Sequence, residues 1–443
     1  MSSIGILLTF MWSAATRIWP RVTQGLAVEL DAINAIPELA SARAAQPRIK
    51  LLPARYSFLQ LKEWHDRVSG PLLALPGVIL TAIDQESNRL LVGIDDWSAA
   101  ADVTAALAQF HVPREAVNLQ GMEINEEMPA EEGTPPAPSP ADPVTLQSKI
   151  RPLVGGIQIA RKAGDATALC TLGFIAERNK IAGFVTNSHC TEVPGGVENT
   201  TFYQPTTEDV NKVAVESVDP CYFWKGPEPS FPPNCEPIPK PLPAEDMCKD
   251  SEACRYSDSA FASLDDAVPV MVGYIARPTR TGTINWDPPN TFFKIVGEQS
   301  VVIKNTFVSL VGRTTGWKEE VVNQVCANQK ITRKIRGKDQ VYDYICQNFT
   351  SGAGDSGDSG SPVFACLDKK DATKIVECGE AVVAGQQNVN VKLAGVRWAI
   401  LSTTGRRFVV YSPIGSMTDG TVKGVQNSNN DLGPLKKCAD GAC

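Results

Sequence analysis

All twelve cysteines of this 443-residue chain lie between Cys170 and Cys443. An even set confined to one stretch reads as a disulfide framework laid down in an oxidising compartment, secreted or periplasmic. It separates a cross-linked back region from a cysteine-free front. Metal ligation is the competing use of cysteine. No Cys-x-x-Cys pair occurs and the back region holds one histidine, so no metal or other cofactor is expected. Charge divides the chain in a similar place. Residues 1–150 hold 11 Lys and Arg against 17 Asp and Glu, and so carry −6 of the net −7. An acidic balance argues against a nucleic-acid partner.

The front reads as a small α+β unit over residues 21–120. Before it, residues 4–12 form a short apolar run, followed by Ser13-Ala14-Ala15. No basic residue precedes the run, so residues 1–20 read as an atypical signal segment or as the start of a helix. Nothing in the chain is long and apolar enough to be expected to span a bilayer. Helical spacing covers residues 20–45 and Tyr56–Val68. Residues 77–83 and 89–94 read as partner strands about a polar turn. Residues 98–110 read as a helix with Asp95, Asp96 or Ser98 as its cap, and 116–119 as a last strand. His65 and His111 fall here as surface or structural residues. Residues 121–150, acidic and proline-rich, read as an exposed linker. From Leu153 short strands and turns predominate, which suits an all-β double barrel over residues 151–443.

The chemistry centres on Gly354-Asp-Ser-Gly-Asp-Ser-Gly-Ser-Pro-Val-Phe364. Such a loop can be a plain turn. It can also be a nucleophile loop, with Ser359 as the attacking hydroxyl and the N–H groups of Gly357 and Ser359 holding an oxyanion. Ser356 sits in the same tetrad, but only Ser359 has a proline three residues on and a strand-like run behind it. A serine needs a base. His189, in Thr186-Asn-Ser-His-Cys190, is the one histidine downstream of His111. Asp258, heading the run Ser259–Leu264, is the carboxylate to orient it. Asp265 and Asp266 read as solvated loop charges.

These residues resemble the chymotrypsin-like serine proteases. The order His, Asp, Ser is that family's. Thr186–Cys190 resembles its Thr-Ala-Ala-His-Cys, and Gly357–Pro362 its Gly-Asp-Ser-Gly-Gly-Pro. Leu153-Val-Gly-Gly-Ile157, Cys170-Thr-Leu-Gly-Phe174 and Gly312-Arg-Thr-Thr-Gly-Trp317 are similar to stretches of the bacterial alpha-lytic protease and streptogrisin branch. The resemblance covers about residues 153–415. It implies two six-stranded barrels and a serine endopeptidase acting through an acyl-enzyme, with protein or peptide substrates. It also implies a front piece that serves as a pro-region, assisting folding and blocking the cleft, with an accessory domain that stays attached as the alternative; a monomer is expected. It further implies a Cys170–Cys190 bridge and an Arg313–Asp358 ion pair. Cys326–Cys346 is the next expected bridge, Cys221, Cys235, Cys248 and Cys254 are expected to pair among themselves, and Cys366–Cys378 and Cys438–Cys443 remain.

Substrate contacts are expected from Ala353, Val396, Arg397, Trp398 and Ala399. Ala353 stands where trypsin-like members carry an aspartate, which suggests a pocket for small or medium apolar side chains, although Asp355 lies close enough to reverse that. Arg397 replaces a serine of the family pattern and Ala399 a glycine. Two rivals stay open: a catalytically idle binding module of the same shape, and an esterase. The four-cysteine, proline-rich stretch 219–254 reads as an insertion at the cleft rim.

Overall fold

The structure, a computed structural model, describes residues 54–126, 130–132, 143–224, 248, 253–287, 291–335, 338–352, 354–383, 385–403, 405–418 and 432–439. The signal-like run, the first expected helix, most of the insertion and Ala353 lie outside them.

The front unit has the expected order. Helix α1 (Phe58–Leu73) begins at Ser57, whose side chain accepts from Gln60 N, and it buries Leu61, Trp64, Val68 and Leu72 on one face. That spacing is the period of a helix laid on a sheet. Strands β1 (Val78–Asp84) and β2 (Arg89–Ile94) form a hairpin. Helix α2 (Ala100–Gln109) follows a short turn in which Asp96 accepts from Ser98 N. Strand β3 (Val117–Glu126) runs parallel to β2. Buried Leu61, Trp64, Val78, Val92, Val103 and Leu107 share one core. His65 is buried in it and His111 is exposed.

The stretch expected to be a solvated linker is structured at both ends. Strand β3 continues to Glu126 and pairs antiparallel with the far end of strand Asn388–Thr403, Glu126 opposite Ala399. Residues Ala130–Glu132 pair with Thr167–Leu169 of the other sheet. Leu146 and Ile150 are buried against the back region. Acidic, proline-rich composition predicts exposure. Here strand pairing supplies partners for the backbone groups that would otherwise need water.

The back region is all-β, in two sheets. One sheet orders eight strands and includes Ile181–Thr186 and Ala260–Leu264, which pair antiparallel with Ala260 opposite Thr186. The other holds the strands that follow the serine loop, Pro362–Leu367, Asn388–Thr403 and Arg406–Pro413. It also holds a hairpin longer than the expected short strands, Gly316–Ile335 with Lys338–Ser351. This second sheet extends unbroken into the front unit, because β1 pairs with the hairpin at Asn328 and Gln329. Asn328 Nδ2 donates to Ser69 Oγ at 2.8 Å and Gln324 Nε2 to the Ile83 carbonyl at 2.9 Å.

Disulfides join Cys170 to Cys190, Cys248 to Cys254, Cys326 to Cys346 and Cys366 to Cys378. Cys221 and Cys438 are also disulfide-bonded. The Cys326–Cys346 bridge ties the long hairpin beside the point where β1 docks. Cross-links of this number belong to a chain that folds in an oxidising compartment. Among the described residues no helix is long and apolar enough to cross a membrane.

Candidate active site

His189 lies in the single turn Ser188–Cys190 that ends strand Ile181–Thr186. Asp258 lies just before the neighbouring strand Ala260–Leu264. Their strands are hydrogen-bonded, so residues 69 apart in sequence meet. His189 Nδ1 is 2.9 Å from Asp258 Oδ2, and His189 N donates to Asp258 Oδ1 at 3.1 Å. Both side chains are buried. This is the contact that an Nδ1–H tautomer makes to a carboxylate, the tautomer whose lone pair lies at Nε2. Asn187 Nδ2 donates to the Asp258 carbonyl at 2.7 Å and the Asp258 amide to Ser412 Oγ at 2.9 Å, fixing the carboxylate's backbone on both sides.

The serine loop comes to this pair through Thr171 and Cys190. Thr171 N donates to the Ser359 carbonyl at 2.8 Å, and Cys190 Sγ lies 3.9 Å from the same oxygen. Thr171 Oγ1 donates to the Gly357 carbonyl at 2.9 Å. Gly360 sits at φ +90° with no room for a Cβ against the Thr171 carbonyl, so only glycine closes this approach. Gly357 is also left-handed, at φ +91°. Ser359 is buried, whereas Ser356 is exposed and hands its carbonyl to Thr314 Oγ1 at 2.7 Å. The alternative carboxylates are elsewhere: Asp265 faces Lys212 at 3.6 Å and Asp266 is exposed.

The structure pairs Asp358 with Arg397 rather than with Arg313. Arg397 Nη1 is 2.9 Å from Asp358 Oδ2, both side chains fully buried. Asp358 also accepts from Thr314 N at 2.8 Å, Thr315 N at 3.0 Å and Thr315 Oγ1 at 2.7 Å. Arg313 instead donates from Nε to Gln158 Oε1 at 2.8 Å and packs beside Gly357. The 314–315 backbone amides take the carboxylate face that Arg313 was expected to fill.

Behind His189 lies a network that no motif announced. Ser188 Oγ and Gly195 N donate to Asp219 Oδ2 at 2.7 and 3.0 Å. Arg255 Nη1 donates to Ser188 Oγ at 2.8 Å and to Asp219 Oδ1 at 3.3 Å, and Nη2 to the Ser259 carbonyl at 3.0 Å. Ser188 precedes His189 and Ser259 follows Asp258, so this ion pair clamps both backbones. Burial pushes Asp219 up to about 6 despite Arg255. Gln347 was missed too. Its Oε1 accepts from Trp398 Nε1 at 2.9 Å and Ser412 Oγ at 2.8 Å.

Glu320, on the long hairpin, accepts from Thr350 Oγ1 and is pushed by burial from 4.5 up to about 7. Asp358 adds to the rise, while Thr350 and Arg397 oppose it. Between those two values the folded chain holds a proton that the unfolded chain has released. Stability from this group is therefore complete below pH 4.5 and is lost as pH rises to 7. Glu320→Gln should gain on the wild type by about 3 kcal/mol between pH 4 and pH 8, at roughly 1.4 kcal/mol per unit. Urea unfolding at the two pH values checks this; a difference that does not change with pH refutes it.

No protein-family description matches the chain, and no curated protein matches it. Among solved structures it is similar to Thermobifida fusca protease A (15% identity, 59% of this chain and 91% of that one, TM-score 0.32). It is likewise similar to the Nocardiopsis protease (16%, 59% and 92%, TM-score 0.33) and to alpha-lytic protease homolog N4 (12%, 59% and 93%, TM-score 0.32).

Proposed function

We propose that the chain is a serine endopeptidase made with its inhibitor attached. The buried His189–Asp258 pair, with the carboxylate on Nδ1, carries this reading. In it, Nε2 of His189 takes the proton of Ser359 Oγ as that oxygen attacks the substrate carbonyl. Asp258 holds the ring and stabilises the imidazolium. The N–H groups of Gly357 and Ser359 receive the oxyanion. His189 then returns the proton to the leaving amine, and water reverses the sequence to free the acid.

The front unit acts as a pro-region seated on the cleft. Strand β3 pairs along residues 399–403, and Ala130–Glu132 pair with residues 167–169 of the opposite sheet. The front of the chain is thereby hydrogen-bonded to both sheets of the back region, as a pro-region that restrains both halves would be. Removing it is the activating step.

A fluorophosphonate probe tests the chemistry. The adduct is expected on Ser359, located by peptide mass spectrometry, with none on Ser356. Labelling of neither serine, after the front unit has been removed, would make the molecule an idle binding module. Labelling of Ser359 without any peptide cleavage would make it an esterase.

A further inference from the structure

We propose that Gln347 is a positioning residue, which fixes Asp258 against the strand leading into the serine loop and so holds the two halves of the proton relay at working distance. This rests on the peptidase reading above. Asp258 lies where the chain leaves one sheet for the other. Strand Ala253–Arg255 pairs with Lys338–Ser351, and Ala260–Leu264 pairs with Ile181–Thr186. Residues 256–259 between them belong to no strand. Their backbone groups therefore need side-chain partners. Gln347, on strand Lys338–Ser351, supplies them from the serine side. Its Nε2 donates to the Tyr256 carbonyl at 2.9 Å and to the Ile345 carbonyl at 2.7 Å. Its Oε1 accepts from Ser412 Oγ at 2.8 Å, and Ser412 Oγ accepts from the Asp258 amide at 2.9 Å.

One arrangement of protons satisfies this chain. An indole N–H can only donate. Trp398 Nε1 lies 2.9 Å from Gln347 Oε1, which makes that atom the carboxamide oxygen. Ser412 then gives its single hydrogen to the same oxygen and keeps a lone pair for the Asp258 amide. The Tyr344 ring stacks on Trp398 at 4.6 Å and holds the indole in place. Gln347, Trp398, Ser412 and Asp258 are all fully buried, so a member that is removed leaves its partners unpaired. Asp258 in turn holds His189 through both the backbone N–H and Nδ1. A shift of the Asp258 backbone is thus passed to the ring that must reach Ser359.

The full-length protein, matured by its own or added protease, is assayed on a chromogenic peptide, with active sites counted by fluorophosphonate labelling. Gln347→Met keeps the length of the side chain without its polar atoms. It should lower kcat about 100-fold, the scale of a misplacement near 1 Å, and leave KM within about three-fold. Ser412→Ala should lower kcat about 30-fold, and the double variant should be no slower than Gln347→Met, because both cut one path. In proton NMR the low-field signal of the His189–Asp258 hydrogen bond should move upfield in each variant. A folded Gln347→Met protein within about three-fold of wild-type kcat overturns the proposal. So do effects that multiply in the double variant, or a low-field proton that does not move. If Gln347→Met does not fold, Ser412→Ala decides by its kcat and the same proton. A wild type neither labelled at Ser359 nor cutting peptides removes the peptidase reading, and the proton signal still tests the positioning.

Discussion

Replacing Ser359 by alanine is expected to lower kcat of the matured protein by about 10⁶-fold, the scale seen when a serine nucleophile of this kind is lost. Asp258→Asn should cost about 10⁴-fold. The asparagine keeps the shape but offers Nδ1 a donor as readily as an acceptor, so the ring can settle with its lone pair facing the wrong way. Ser356→Ala, in the exposed repeat of the motif, should stay within about three-fold, the range of a surface change. The measurement is steady-state hydrolysis of a chromogenic peptide, with active sites counted by labelling. A Ser359→Ala protein retaining a tenth of wild-type activity would end the proposal. A Ser356→Ala protein that lost everything would move the nucleophile to the other tetrad.

The second large effect concerns the front unit. Ile79, Leu80, Ala82, Leu91 and Met122 share a core with Ala327, Tyr344 and Trp398. Leu80 is fully buried there, opposite Gln329 of the hairpin. Leu80→Asp places a carboxylate in that apolar core, at a cost of about 3–5 kcal/mol. That is about two to four powers of ten in the docked population. In the full chain, before any cleavage, the rate of fluorophosphonate labelling should rise about 100-fold. The emission of buried Trp398 should shift to the red as water reaches it. Unchanged labelling with an intact far-UV spectrum would show that the front unit does not restrain the site.

The residues proposed for chemistry were legible because their motifs are local. Gly357-Asp-Ser-Gly360 and Thr186–Cys190 each fix a backbone shape within five residues. The front unit was legible for the same reason, since its helices and hairpin carry their own period and turn chemistry. What the sequence concealed depends on partners far along the chain. Strand β3 runs into acidic, proline-rich sequence because its ladder partner lies nearly 280 residues later. Asp219 and Arg255 look like ordinary charges in an irregular stretch until folding buries both against Ser188. Arg397 could be flagged as a departure from a pattern, but the direction of its side chain depended on Gly354 having none.

Strand pairing between the front unit and residues 399–403 also has a cost once the two part. The backbone donors and acceptors from Ala399 to Thr403 become a bare ladder edge, as does the hairpin flank at residues 328–329. Unpaired edges recruit any extended chain, including a second copy. A liberated back region would therefore gather into dimers or fibrils at high concentration unless an incoming polypeptide occupies that rim.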